Sequence, residues 1–358
     1  MIDDMIGRHK SEIETPALLL YLDAVEHNVT KMAKQFEGKS CKLRPHMKTH
    51  KLPLIAHKQM QAGAVGITCA TLSEAKALLE AGIGKVLIAN EVVGERKIDK
   101  LVHLAGFGDL IVCVDEYENA QAISAAAGKA GRKVNVLVEV NVGLNRCGVE
   151  PGKPAVDFLE RILGLKHLSF RGFMGYEGGL YIEDSAKKRE TCRQSNQKLV
   201  ETKELAEKRG HTVEIASAGG SNTWNLTGGY SGITDIQVGS YVTMDAHNKH
   251  FGLDFEQAVT VLATVISRPE RARAVTDAGK KSLSTDEGMP ICLTPGVVVS
   301  KLNEEHGHVA VEADRQLRAG DKIEIVPSHG CTTIPLYDRY VAIRNDHVES
   351  ILEIHAWN

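Results

Sequence analysis

The residues that can do chemistry in this 358-residue chain gather in a few short stretches. In "RPHMKTHK" (44–51), Arg44, His46, Lys48, His50 and Lys51 crowd together directly after the run "SCKLRP". Basic clusters usually mark wet surface, so a solvated turn is the bland reading. The alternative is a reactive amine. Neighbouring cations such as Arg44, Lys51 or protonated His46 depress a lysine pKa, and a depressed pKa lets the amine form a Schiff base with a phosphorylated aldehyde. Lys48 suits that role, a plain ion pair with phosphate is its other use, and Lys51 competes one turn further on. Two more stretches, "SAGGSNT" (217–223) and "VGSYVTMD" (238–245), carry glycines that let backbone N–H groups approach an anion. Ser217, Ser221, Asn222, Thr223, Ser240 and Tyr241 add donors there, although tight turns alone explain such glycines often enough. In the polar "PSHGCTT" (327–333), Cys331 stands two residues after His329.

These places are far apart in the chain, so the elements between them must bring them together. Strand candidates are 41–46, 64–70, 85–91, 109–115, 133–142, 168–176, 212–218 and 235–241. Between most of them lie segments such as "LSEAKALLEAG", "EYENAQAISAAAGKAG" and "RQSNQKLVETKELAEKRG", whose apolar spacing of three and four and terminal glycines predict helices. Eight strands with their crossovers predict an α/β fold, a parallel (β/α)8 barrel, with a doubly wound open sheet as the alternative. In such a barrel reactive groups sit at the C-terminal strand ends, and phosphate is commonly held after strands seven and eight. Those are the places of the two glycine-bearing stretches. Lys48 falls at the mouth of strand one, on the same rim.

A ninth strand candidate, 15–23, precedes the eight and belongs to another layer. After residue 255 the texture changes to short β-type stretches joined by polar turns, which predicts a second, all-β domain. Composition agrees with an ordinary globular protein: 43% hydrophobic and 25% charged residues, with 33 glycines. A formal net charge of −3 offers no global attraction for nucleic acid or an anionic membrane, so an anionic ligand must find a local site. The N-terminal "MIDDMIGRHKSEIE" lacks the apolar stretch of a signal peptide and no run approaches a membrane span, so a cytoplasmic protein is expected. Seven cysteines, scattered without pairing rhythm, are expected as reduced thiols, with Cys69 and Cys113 in the core.

Together, "TPALLLYLD", "RPHMKTHK", "VEVNVGLNRCGV", "GYEGG", "SAGGSNT", "VGSYVTMD", "DAGKKSLSTDEG", "EEHG" and "PSHGCTT" resemble the D-threonine aldolase and eukaryotic-type D-serine dehydratase family. These are pyridoxal-phosphate enzymes with the alanine racemase fold. The resemblance implies a cofactor-carrying barrel over 24–250, a β domain formed by 1–23 plus 251–358, and a homodimer with active sites near the subunit interface. It explains the spare first strand.

By position, the resemblance places the lysine that holds pyridoxal 5'-phosphate, and exchanges the α-proton, at Lys48. It matches Arg146 to an arginine near the cofactor's phenolic oxygen and Tyr176 to a residue facing the pyridine ring. Read structurally, Arg146 is a salt-bridging barrel residue and Tyr176 a core tyrosine. Glu177 receives no role at the pyridine nitrogen. The cofactor set is completed by Ser217, Gly219, Gly220, Ser221, Asn222, Gly239, Ser240 and Tyr241. His329 and Cys331 match a metal pair, and H-x-C on an extended segment directs both side chains to one side. Imidazole with thiolate suits zinc, whereas aldolases of the family typically carry aspartate at the cysteine position and use manganese or magnesium. The implied substrate is a small D-β-hydroxy amino acid, cleaved by retro-aldol reaction to glycine and an aldehyde, or dehydrated to a 2-oxo acid and ammonia. The cysteine favours dehydration; "LYDRYVAIRNDHVESILEI" and "EEHG" look aldolase-like.

Overall fold

The fold comes from a computed structural model that describes residues 5–313 and 315–355. Residues 1–4, 314 and 356–358, all within the span expected for the β domain, lie outside the described residues. The chain divides into two units: 32–48 with 53–239, and 5–31 with 49–52 and 240–355.

In the first unit the eight expected strands all form: β2 (Lys42–Leu43), β3 (Ile67–Cys69), β4 (Lys85–Glu91), β5 (Asp109–Val114), β6 (Val134–Glu139), β7 (Leu168–Met174), β8 (Ile215–Ala218) and β9 (Asp235–Ile236). All pair in parallel, in the order β2-β9-β8-β7-β6-β5-β4-β3. The two ends of this sheet are joined by a parallel bridge between His46 and Thr68, and by N–H bonds from Val65 to Leu43 (2.9 Å) and from Thr68 to Pro45 (2.7 Å). The ring is therefore closed, and the open-sheet alternative is set aside. Runs such as "DLIVCV" read as continuously apolar because such strands are buried on both faces. Leu87, Ile111, Cys113, Leu137, Met174 and Ile215 form one interior cluster.

Helices fill the crossovers. One of them, α3 (Leu72–Glu80), starts where Thr71 accepts the Glu74 N–H, and α7 (Ser185–Lys208) where Asp184 accepts those of Ala186 and Lys187. Several strands are shorter than their apolar runs. The first ladder stops at Leu43, yet single bonds from Arg44 N–H to the Ile236 carbonyl (3.0 Å) and from His46 N–H to that of Val238 (2.8 Å) carry the chain on.

In the second unit β1 (Ala17–Tyr21) lies inside a mixed sheet. It pairs antiparallel with β10 (Val259–Glu270) and parallel with β16 (Arg339–Arg344), so the spare strand belongs to the C-terminal layer. Further pairing adds β11 (Arg273–Thr276), β12 (Ile291–Cys292), β13 (Val297–Leu302), β14 (Gly307–Val311), β15 (Lys322–Val326) and β17 (His347–Glu353). Ile13, Ala17, Leu19, Leu262, Val341, Ile343 and Val348 make a buried core. The boundary between units falls inside α1 (Leu22–Phe36). Among the described residues all seven cysteines are free, Cys69 and Cys113 are fully buried, and no helix is long and apolar enough to cross a membrane.

Candidate active site

Parallel strands put every C-terminal end on one rim. Lys48 reaches it because Met47, fully buried, donates its N–H to the Thr68 carbonyl at 2.8 Å. The Lys48 N–H points back to His46 Nδ1 at 3.3 Å, and the lysine is half-buried. Lys51 belongs to the other unit, is buried, and has a φ of 52°.

Arg146 follows β6 and Tyr176 follows β7. The guanidinium carbon lies 5.5 Å from the centre of the tyrosine ring, and a Cβ placed on Gly220 would meet that ring at 3.3 Å. Arg146, Tyr176 and the glycine turn thus share one stretch of rim. Arg146 Nη2 also stands 3.6 Å from Glu139 Oε1 at the end of β6. Burial, together with the neighbouring Glu91 carboxyl, holds the Glu139 pKa well above the carboxylate range. A carboxyl so placed ionises only at a cost, so Glu139 retains its proton.

The glycine turn is organised by Glu177, for which no role was expected. Its carboxylate accepts from Gly219 N–H (3.1 Å), Thr223 Oγ1 (2.6 Å) and Thr227 Oγ1 (2.8 Å), and it is 4% exposed. Burial pushes its pKa up while these donors pull it down. Gly219 turns with a φ of +79°, and a Cβ there would sit 3.1 Å from Thr227 Cγ2. Gly239, after β9, donates its N–H to Ser221 Oγ at 3.0 Å, which ties the two turns together.

Two expected donors have other employment. Ser217 donates to Asp235 (2.5 Å) and accepts from Gln237 (2.9 Å), because it still belongs to β8 and Asp235 sits on the adjoining β9. The Asn222 amide donates to the carbonyls of Gly179 (2.7 Å) and Leu180 (3.2 Å), and its oxygen receives Lys188 Nζ (2.8 Å). Tyr241 lies in a short turn of 3-10 helix in the other unit, its buried ring edge-on to Phe255, with Ser240 beside it.

His329 and Cys331 follow β15 in that second unit. The segment does not stay extended: the backbone turns at Gly330 into α10 (Gly330–Thr333), so period-two alternation does not hold at Cys331. The turn brings the two side chains together by another route. Gly330 donates its N–H to Asp245 Oδ2 (2.9 Å), and Cys331 Sγ contacts Thr49 Oγ1 (3.1 Å). His329 Nδ1 lies 2.8 Å from Asp286 Oδ2. Burial draws the His329 pKa down, but the hydrogen-bonded Cys331 and Asp286 outweigh it and push the value up to about 10.

The residues present fit the groups that the family resemblance implies. The Gly219–Gly220 turn, packed closely enough that added Cβ atoms meet neighbours at 3.1 and 3.3 Å, is a backbone cradle of the kind an anion uses. An imidazole beside a thiol is a soft pair suited to zinc. Among the described residues Asp286, Glu287 and His329, and separately Glu91, Asp115 and Cys147, also group their ligand atoms within 4.8 Å.

Known proteins resemble the chain along its whole length. Residues 20–247 match the alanine racemase N-terminal domain and 258–343 a putative serine dehydratase domain. A D-threonine aldolase of Arthrobacter sp is 36% identical, over 98% of this chain and 94% of that protein. A 3-hydroxy-D-aspartate aldolase of Paracoccus denitrificans is 33% identical over the same shares. The crystal structure of D-threonine aldolase from Filomicrobium marinum superposes with a TM-score of 0.94 at 37% identity, covering 98% of this chain and 97% of that one. With its closed parallel barrel followed by a separate mixed sheet, the chain belongs to the D-threonine aldolase and D-serine dehydratase family, built on the alanine racemase fold.

Proposed function

We propose that this protein is a lyase dependent on pyridoxal 5'-phosphate and a divalent metal, and that it cleaves D-threonine-type β-hydroxy amino acids to glycine and an aldehyde. The observation that carries the reading is the shared rim: Lys48, Arg146, Tyr176 and the Gly219–Gly220 turn all follow parallel strands of one barrel, with Arg146 over Tyr176 and Tyr176 against Gly220. The cofactor supplies an electron sink for a carbanion at Cα, and the metal supplies the acidity that ionises a β-hydroxyl.

The rest is work for the protein's own groups. Lys48 provides the amine that anchors the cofactor and the base that handles the α-proton. Arg146 sets a fixed positive charge beside the phenolic oxygen, and Tyr176 presents its ring to the pyridine face. Gly219, Gly220, Ser221 and Gly239 receive the phosphate, and Ser217 and Asn222 support that loop through the bonds they already make. His329 and Cys331 hold the metal, zinc before manganese or magnesium.

A second reading is a D-serine or D-threonine dehydratase. Cys331 favours it, since a thiolate selects zinc, the ion of the family's dehydratases. Both readings assign the barrel to 24–250 and the β domain to 1–23 plus 251–358, and imply a cytoplasmic homodimer. Purified protein incubated with D-threonine and either zinc or manganese separates the two readings. Glycine and acetaldehyde mark the aldolase, and 2-oxobutanoate with ammonia the dehydratase. Neither product from any D-β-hydroxy amino acid would end both.

A further inference from the structure

The stretch "DAGKKSLSTDEG" helps carry the resemblance but none of its residues has been given a role, and it places Asp286 directly on His329. The carboxylate is held from both oxygens. Its Oδ2 takes His329 Nδ1 at 2.8 Å, and its Oδ1 takes Thr332 Oγ1 at 2.9 Å and the Ser284 hydroxyl. The loop behind it is fastened to the same strip of chain as the metal pair: Ser284 N–H donates to Thr333 Oγ1 (3.1 Å) and Ser328 Oγ to the Ser284 carbonyl (2.8 Å). Asp286 is therefore preorganised before any ion arrives.

An imidazole that gives its Nδ1 proton to a carboxylate has one lone pair left, on Nε2. The Asp286 carboxylate is already committed to protein groups, its Oδ1 filled by two hydroxyls and its Oδ2 set against the His329 ring. We infer that Asp286 is a positioning residue, which holds His329 through Nδ1 and presents Nε2 to the divalent ion without ligating that ion itself. The inference rests on the reading of His329 and Cys331 as the metal pair. It separates Asp286 from Glu287, whose carboxylate shares the 4.8 Å cluster but makes no bond to the His329 ring that the structure records.

The test uses the full-length protein with its cofactor, stripped of metal, in wild-type form and as Asp286→Asn, Asp286→Ala and His329→Ala. Zinc affinity is measured by competition with a chromophoric chelator, and the cobalt-substituted proteins are compared by visible absorption. Asp286→Ala should weaken zinc binding by about 10- to 100-fold, the usual effect of losing a carboxylate behind a ligating histidine. The near-isosteric Asp286→Asn keeps one acceptor oxygen, guards against a folding defect, and should fall between alanine and wild type. Its cobalt spectrum should match the wild type in band position, because the ligand set is the same. Unchanged zinc affinity in both Asp286 variants overturns the positioning role, and a shifted cobalt band in Asp286→Asn makes Asp286 a ligand, which overturns it equally. Unchanged affinity in His329→Ala brings down the metal-pair reading itself, and the inference with it.

Discussion

Replacing Glu177 by glutamine tests whether that carboxylate organises the glycine turn. The three donors it receives suit a carboxylate better than either orientation of an amide. With its oxygen toward Thr223 and Thr227, the NH2 faces the Gly219 N–H, donor against donor. Reversed, the NH2 falls on hydroxyls whose protons point at it and which each already accept one bond, Thr223 from the Gly220 N–H (3.1 Å) and Thr227 from the Asn196 amide (3.3 Å), so both protons must find other acceptors. A buried N–H left unmet costs about 1–3 kcal/mol, and relief from burying a charge offsets part of that, so about 2 kcal/mol is expected. The loss is local to the turn, so the readout is amide hydrogen exchange at 217–223, with β5 as the internal control. Since 1.4 kcal/mol is tenfold, exchange in the turn should quicken by about 30-fold while β5 stays protected, and cofactor affinity should fall with it. Unaltered protection at Gly219 and Gly220, or a quickening spread evenly over the barrel, would refute the argument.

Three other outcomes follow from the same geometry. Lys48→Ala should abolish the yellow absorbance of the bound cofactor and reduce turnover to background; a spectrum like the wild type would move the assignment to another lysine, Lys51 first. Glu139 binds its proton more tightly in the folded than in the unfolded chain, so wild-type stability should fall as pH rises past the ordinary carboxylate range. Glu139→Gln has no proton to lose there, and urea midpoints of the cofactor-free proteins at about pH 5.5 and about pH 8.5 should show a flatter slope for the variant. A steeper slope would contradict the protonated state of Glu139. Cys331→Asp replaces a soft donor by a hard one and should shift the metal bound from zinc toward manganese, read by metal analysis after dialysis against both; zinc retained at full occupancy would argue against Cys331 as a ligand.

Much of the fold was legible because its signals are local. Each barrel strand is a short apolar run and most crossovers show helical spacing, and with strands in parallel a residue's distance past the strand end states its place on the rim. That is how Lys48 and the two glycine-bearing stretches could be set on one side of a barrel from sequence, while Arg146 and Tyr176 were assigned through the family resemblance. Strand lengths were less legible, since apolar runs such as 64–70 continue beyond the three residues, Ile67–Cys69, that pair. The H-x-C segment misled for a related reason: four helical residues are too few to show a period, and the Gly330 N–H that opens the turn goes to Asp245, 85 residues away.

Which donor meets which acceptor belonged to the tertiary structure alone. Ser217 looked available until β9 placed Asp235 within its reach, and Glu177 gained its role from Gly219, Thr223 and Thr227, more than forty residues away. Asp286 meets His329 across 43 residues that no short-range pattern spans. Backbone periodicity is written into neighbouring side chains, so the sequence by itself determined the elements and their order. Hydrogen-bond partnership depends on distances and angles between segments joined only by folding, and those the tertiary structure decided.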